Sequence, residues 1–197
     1  MADDVSEVLI DGMSEDGREY VLATARELYA RAVYSHKTHE KEREIWSAKA
    51  CTMYRTNIAL VSATTVFAII SAALRPLWSL ILTAILSAAT TAFVLWQSSF
   101  DPVGKESVHR TAAKELLRIR EQLLLLIERC HIKSEPGGRL QASLESITRE
   151  LTGLYKFAPD TSHEAYARAS VALKRGELTF SDDEIDAFLP AKLREKG

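Results

Sequence analysis

The stretch that decides the fold is the almost uncharged run at residues 57–96, NIALVSATTVFAIISAAL-RP-LWSLILTAILSAATTAFVLW. Residues 57–74 and 77–96 carry no charge, and as helices they would reach about 27 and 30 Å, close to the thickness of the bilayer hydrocarbon. Arg75-Pro76 separates them, and a proline there breaks the helix. The sequence therefore predicts a transmembrane hairpin over residues 56–97, with spans at 57–74 and 77–96. The alternative is a buried helical hairpin inside a soluble protein, but 197 residues offer little surface to cover two all-apolar helices.

The average composition conceals this hairpin. Apolar residues make up 47% and charged residues 26% of the chain, and the mean hydropathy is −0.07. Those averages are typical of a soluble protein because all charges except Arg75 lie outside residues 56–96. A net charge of −2 gives no basic excess for nucleic acid, so no nucleic-acid partner is expected. Two cysteines cannot build a disulfide framework or a zinc site, which favours a reducing compartment.

Basic residues flank the hairpin and are nearly absent from its tip. Residues 18–55 hold eight Lys or Arg side chains and residues 101–120 hold five, against Arg75 alone between the spans. The positive-inside rule predicts a two-span membrane protein with both termini in the cytoplasm; its location in the bacterial inner membrane is implied only by the family resemblance described below. Residues 1–17 carry six acidic side chains and no basic one, so we expect a short acidic lead-in rather than an export signal.

The remaining chain is predicted to be helical. Residues 18–55 lack Pro and Gly and present an apolar, aromatic face, so we expect a cytoplasmic helix that runs into the first span. Residues 101–176 should form further cytoplasmic helices, beginning at Asp101-Pro102 and broken by a turn at 134–138. A Thr161/Glu164 capping box and Gly176 bound a short helix, and residues 177–197 hold a last short helix with a Ser181/Glu184 box, then a tail. The predicted fold class is an all-α membrane protein, a two-helix transmembrane hairpin with a cytoplasmic helical bundle.

Four sets of residues recur at helical spacing and predict which helix faces are packed: Tyr20, Leu28, Tyr29, Ala32 and His36; Val108, Ala112, Leu116, Ile119, Leu123, Ile127 and Cys130; Leu140, Leu144, Ile147, Leu151 and Leu154; and, within the second span, Ser79, Thr83, Ser87 and Thr91.

The hydroxyl stripe of the second span has two interpretations. Its members recur every four residues and predict one polar helix face, opposite a ridge of Thr64, Ala68 and Ala72 on the first span. Small residues and hydroxyls at this spacing favour close helix packing. Alternatively, the stripe lines a water-accessible path in an oligomer, which makes its four members pore-lining candidates.

Motifs for catalysis are scarce. His36, His39 and Glu40 are close enough on one helix to bind a metal, but the HExxH spacing is missing and packed histidines are favoured. A second set, Tyr155, Lys156, Tyr166 and Arg168, could hold a phosphate, although packed tyrosines and solvated charges are the simpler explanation. The sequence therefore predicts no enzyme, no cofactor and no metal site.

Several segments resemble a known family. They are YSHKTHEK at 34–41, LYKFAP at 154–159, Ala165, Tyr166 and Ala169, and FSDDEIDAFLP at 180–190. Together with the hairpin they resemble the SLATT family, the SMODS- and SLOG-associated two-transmembrane effectors of bacterial anti-phage conflict systems, over residues 20–194. The resemblance implies an effector that lies beside a separately encoded nucleotide-producing or nucleotide-sensing protein. Such effectors are thought to assemble into pores and to kill or arrest the cell.

Two functions are therefore expected as competitors. The first is a homo-oligomeric, pore-forming effector in the lipid bilayer, held inactive by its cytoplasmic helices. The second is a membrane-anchored scaffold or ligand-sensing module that never conducts. For the first, we expect residues 34–41 to pack on residues 154–169, with His36, His39, Lys156 and Arg168 as the candidates for the trigger contact.

Overall fold

The computed structural model describes residues 15–179 together with Ser181 and Ile185. Within these residues the chain forms five helices and no strand: α1 Glu15–Leu74, α2 Leu77–Phe100, α3 Pro102–Cys130, α4 Gly137–Phe157 and α5 His163–Lys174. The predicted all-α fold is confirmed. Most of the acidic lead-in, as well as Phe180 and Glu184 of the last predicted helix, lies outside the described residues.

The first helix is a single rod of 60 residues. Because no proline and no glycine occurs between Arg18 and Leu74, nothing interrupts its hydrogen-bond ladder, and it extends about 90 Å. The helix ends at Arg75, which adopts a left-handed φ of 53°, and extended Pro76 precedes α2. The prediction that the helix runs directly into the first span is confirmed.

One residue joins α2 to α3. Asp101 has a left-handed φ of 41°, which ends α2, and its carboxylate accepts a hydrogen bond from the Gly104 N–H at 2.9 Å, which caps α3. Pro102 then occupies the first turn, as the sequence predicted. After Arg75-Pro76 the chain returns antiparallel to α1, so that α2 packs on the C-terminal half of α1 and α3 packs on its N-terminal half.

The helices outside the hairpin form a bundle around one apolar core. The stripes predicted on α3 and α4 supply most of that core, with Leu116, Leu123 and Leu140 fully buried. On α3, however, Val108 is exposed and His109 is buried in its place. On α1, Val21 is buried while Tyr20, expected on the apolar face, is 66% exposed. We use "the bundle" for α3, α4, α5 and residues 15–53 of α1.

Two local predictions need correction. The predicted turn at 134–138 ends sooner, because α4 already begins at Gly137, where Pro136 accepts the first backbone bonds from Arg139 and Leu140. The cap of α5 is Ser162 rather than Thr161, and its side chain accepts a hydrogen bond from the Ala165 N–H at 3.2 Å. Gly176, with φ 79°, follows the end of α5 as expected.

The two spans are not the core of a soluble protein. In the most apolar 18-residue stretch of α1, no residue is buried. In the most apolar 18-residue stretch of residues 77–130, which form α2 and α3, 6% of the residues are buried. Both helices are long and apolar enough to cross a membrane. The buried-hairpin alternative is therefore wrong for this chain, and the fold is that of a membrane protein with a helical bundle beside its hairpin.

Candidate functional site in the hairpin and the adjoining bundle

Polar side chains bridge the two spans inside the hairpin. The Ser71 hydroxyl donates to the Ser79 hydroxyl at 2.8 Å and lies 3.4 Å from that of Thr83. Farther along, the hydroxyls of Thr64 and Thr90 are 3.5 Å apart. The three threonine hydroxyls also donate to backbone carbonyls one turn earlier, so none depends on the bridge alone.

These bridges belong to a seven-residue pattern that the sequence analysis did not recognise. Half-buried polar residues recur at this spacing on both helices: Asn57, Thr64 and Ser71 on α1, and Thr83, Thr90 and Gln97 on α2. Thr64 faces Thr90 and Ser71 faces Thr83. Seven residues are close to two helical turns, which keeps them on the facing seam of a coiled pair. Reading both spans for a shared period of seven would have found them. We call this set the polar ladder.

The predicted hydroxyl stripe divides between two environments. Ser79 is fully buried and Thr83 half-buried in the hairpin interface, whereas Ser87 and Thr91 are exposed. The reason is geometric, since a step of four residues advances about 400° around an α-helix and the stripe rotates by about 40° at each step.

The predicted packing ridge on α1 divides in the same way. Thr64 faces α2, but Ala68 and Ala72 are exposed. Together with Ser87 and Thr91 they line an open groove of about 510 Å³ along one side of the hairpin.

Within the bundle, α1 and α3 bury histidines between them. The Nδ1–H of His36 donates to the Ala113 carbonyl at 2.9 Å. The Nδ1 atoms of His39 and His109 are 3.0 Å apart, so one ring carries the proton and donates to the other. Burial, followed by the neighbouring His109, lowers the pKa of His39 to about 4, and burial also lowers the pKa of His109. Both rings are therefore neutral at pH 7. Within the part of the chain that the structure describes, no three His, Cys, Asp or Glu side chains are grouped to hold a metal ion.

A buried carboxylate on α1 fixes the start of α5. Glu42 accepts hydrogen bonds from the backbone N–H and the hydroxyl of Ser162, at 2.8 and 2.6 Å. Burial works to raise the pKa of Glu42, but the hydrogen bonds from Ser162, together with His109 and a hydrogen bond from the Trp46 side chain, hold the pKa below its ordinary value. Glu42 is thus a carboxylate at neutral pH, and Ser162 connects it to the α5 cap.

The other end of α5 is also tied to α1. Buried Lys37 pairs with Glu40 at 3.0 Å and with Glu177, just past α5, at 2.9 Å. Burial works to lower the pKa of Lys37, yet its two carboxylate partners raise it overall, so the ammonium stays charged. Between the two ties, α5 presents only small buried side chains to the bundle, namely Ala165, Ala169 and Ala172. We call α5 with these two ties the clasp.

Tyrosines line a cleft beside the clasp. The rings of Tyr34 and Tyr166 stack with centroids 6.1 Å apart, and the hydroxyls of Ser35 and Tyr155 are 3.1 Å apart. A cavity of about 280 Å³ opens here, with Asp160 among its polar lining. Residues 34–41 and 154–169 are thus in contact.

The four trigger candidates do not form one site. His36 and His39 face α3, as described above. Lys156 is exposed beside the Phe157 ring, and exposed Arg168 pairs with Glu164 at 2.7 Å. The cavity holds Tyr155 and Tyr166 of the considered phosphate set without Lys156 or Arg168. Glu42 and Ser162 are not among the sequence-predicted site residues, because the hydrogen bonds between them join positions 120 residues apart.

The comparisons with known proteins bear on the whole of this architecture. The SMODS and SLOG-associating 2TM effector domain family 4 matches residues 22–184, which include the hairpin, the bundle and the clasp. No curated protein and no solved structure matched the chain.

Proposed function

Because the chain belongs to the SMODS and SLOG-associating two-transmembrane effector family, we propose that it is a membrane effector of a bacterial conflict system whose hairpins, on activation, assemble into a pore or otherwise disrupt the membrane. The bundle lies in the cytoplasm beneath the inner membrane, and the outcome is cell death or arrest. The proposal includes no enzymatic step.

One observation supports the proposal above the others. The rod α1 carries the clasp and the tyrosine cleft at residues 34–42 and, without a break, the first span at 57–74. Because one uninterrupted helix carries both, a shift of α1 at the clasp is transmitted to the span. The trigger contact and the membrane element are thus parts of the same helix.

The clasp provides the resting state in this proposal. An effector that conducts constantly would kill its host, so the inactive arrangement must be favoured until a signal arrives. Hydrogen bonds to Glu42 and ion pairs to Lys37 hold α5 on α1. A ligand or a partner protein, such as a nucleotide-producing or nucleotide-sensing protein encoded nearby, activates the effector by shifting this contact.

Activation in this proposal requires several copies. A single hairpin cannot enclose water, so a pore needs a homo-oligomer. We expect a defined multimer in mild detergent by light scattering, and a monomeric mass in a preparation that still depolarises membranes would contradict the pore.

The clasp can be tested by a single overpacked residue. Ala169 is fully buried on the face of α5 that packs on the bundle. Leu in its place should destabilise this contact by about 1–3 kcal/mol, because a well-packed site has no room for the larger side chain. Ala169→Leu should therefore loosen the clasp and lower the induction level at which cells lose membrane potential and stop growing. The matched control is Ala167→Leu, which makes the same change on the exposed side of the same helix.

The measurement is inducible expression with a potential-sensitive dye and a growth readout, with and without the genomic neighbours. An unchanged toxicity threshold in Ala169→Leu, at equal membrane levels, would contradict the clasp as the resting lock. No depolarisation by any variant, even with the neighbours present, would contradict the pore.

A non-conducting sensor remains the second candidate. The observation that favours it is the tyrosine cleft, because stacked rings and free cavity volume are typical of a ligand site. In that case ligand addition would stabilise the bundle and recruit a partner without any change in membrane potential.

A further inference from the structure

Aromatic rings surround two lysines where the hairpin meets the bundle. Trp46 of α1 packs on Phe100 with ring centroids 5.4 Å apart, and Trp96 stacks on Phe100 at 5.5 Å. The Lys105 ammonium lies 4.5 Å from the ring centres of both Trp46 and Phe100, and the Lys49 ammonium lies 4.2 Å from that of Trp46. Each lysine is thus held by a cation–π contact.

These lysines have no carboxylate neighbour in an ion pair. The ion pairs among residues 15–179 include neither lysine, and each ammonium lies over an aromatic ring instead. Two positive charges without an ion-pair partner attract an anion, and the contacts with the Trp46 ring hold both ammonium groups in place.

The height of this cluster matches that of lipid headgroups. Trp96 is the last residue of the second span, and Phe100 lies one turn farther, about 6 Å along the helix. The polar layer of each leaflet extends about 5–8 Å beyond the hydrocarbon. The Lys105 ammonium beside Phe100 therefore lies at the level of lipid phosphates, with Trp96 in the interfacial belt. Lys49 is eight residues before the first span, about 12 Å along α1, and its long side chain reaches the polar layer from there.

An apolar groove descends from Lys49 towards the membrane. Its volume is about 390 Å³, and it is lined by Lys49, Thr52, Met53, Thr56, Phe93 and Trp96. A positively charged upper end and apolar walls below it match a phospholipid with a negative headgroup. A second copy of the chain would need a free acidic side chain at this height. The acidic residues nearby are already engaged, because Asp101 caps α3, Glu106 pairs with Arg110 and Glu44 pairs with Lys41.

We propose that this groove, with Lys49 at its head, is a binding site for an anionic phospholipid. The phosphate lies against the Lys49 ammonium, Lys105 beside the same Trp46 ring adds positive charge, and one acyl chain lies along Met53, Phe93 and Trp96. The bound lipid joins α1 to the α2–α3 connection at the level where the bundle meets the membrane. This site goes beyond the proposed function and does not depend on whether the hairpins conduct.

The test uses the full chain in vesicles of phosphatidylcholine that contain a minor fraction of acyl-brominated lipid. Bromine quenches nearby tryptophans, and Trp78→Phe removes the one at the hairpin tip, leaving Trp46 and Trp96 beside the groove. Brominated phosphatidylglycerol should half-quench this fluorescence at a lower mole fraction than brominated phosphatidylcholine, by about fivefold for each lysine.

Lys49→Gln with Lys105→Gln should abolish this difference, and Lys49→Arg with Lys105→Arg should restore it. The matched control is Arg55→Gln with Lys114→Gln, which removes the same charge from exposed positions outside the groove and should keep the difference. Equal quenching by both lipids in the parent chain, or loss of the difference in the control pair as well, would overturn the proposal. Absence of quenching by either lipid would also overturn it, since the groove would then be covered by protein.

Discussion

The facing Nδ1 atoms of His39 and His109 can share only one proton. The unfolded chain protonates His39 near its ordinary pKa of 6.5, whereas the folded ring stays neutral until about pH 4. Over that interval the unfolded state binds more protons, so the free energy of unfolding decreases as the pH falls from 6.5 to 4, by at most about 3 kcal/mol. Glu42 adds to this loss of stability at the lowest pH. Because its pKa is lowered in the folded chain, the stability that its carboxylate contributes is lost as the pH falls below the ordinary value of 4.5.

We therefore predict that His39→Gln reduces this acid sensitivity. The amide can still bond to His109 but does not titrate, so thermal unfolding of the detergent-solubilised chain should change less between pH 7 and pH 4.5. His131→Gln, at an exposed position after α3, is the control and should behave as the parent chain. The same pH dependence in parent and His39→Gln would show that the pair does not carry the effect.

Ser71 is the best-placed donor of the polar ladder, with the fully buried Ser79 as its acceptor at 2.8 Å. Removing it by Ser71→Ala should lower hairpin stability by up to about 1 kcal/mol in detergent titration, the range for interhelical bonds in membranes. Ser62→Ala changes an exposed serine of the same helix and should have no such effect. Equal stability of the two variants would mean that the bridge contributes nothing.

At the scale of elements, the hydroxyl stripe occupies two environments, so its packing role and its pore-lining role can be tested separately. Leu at Ser79 and Thr83 enlarges side chains inside the hairpin, so the pair should destabilise it by about 1–3 kcal/mol. Leu at Ser87 and Thr91 adds apolar volume only on the exposed side, so the hairpin should stay stable.

The second pair therefore tests the pore directly. If Ser87 and Thr91 face water in the active oligomer, their Leu variants should insert normally and lose toxicity in the dye assay. Full toxicity of Ser87→Leu with Thr91→Leu, at parental membrane levels, would exclude these two positions from a pore wall.

At the scale of the whole molecule, the distribution of basic residues predicts the orientation. Residues 18–55 and 101–120 carry 13 Lys or Arg side chains against Arg75 at the tip, so both termini should be cytoplasmic. Reporter fusions at residue 1, near Arg75 and at residue 197 check this. Activity of a periplasmic reporter at either terminus would contradict it.

Much of the fold follows from local rules that a sequence expresses directly. The break at Arg75-Pro76, the Asp101 cap and most of the stripes of α3 and α4 depend only on residues that are close along the chain. Hydrogen bonding within a helix and periodic burial on one face require nothing more distant, and those predictions agree with the structure.

The face that each helix turns inward depends on its neighbours instead. Tyr20 and Val21 are adjacent and both apolar enough to be buried, but α3 lies against Val21. Similarly, Ser87 continues the stripe of Ser79, but the facing seam follows a period of seven and leaves it exposed. The amphipathic pattern limits which faces of a helix can be buried, and packing against the neighbouring helices decides which face is buried.

The start of α5 shows most clearly how local sequence limits the possibilities and tertiary packing selects among them. Thr161 and Ser162 are both capable caps by sequence, and Ser162 is used because Glu42, 120 residues earlier, accepts both its N–H and its hydroxyl. The histidine pair, 70 residues apart, likewise exists only when α1 and α3 pack. The sequence by itself determined that the chain is a membrane hairpin with helices attached. Only the tertiary structure decided which side chains meet, because burial and long-range hydrogen bonds exist only between packed elements.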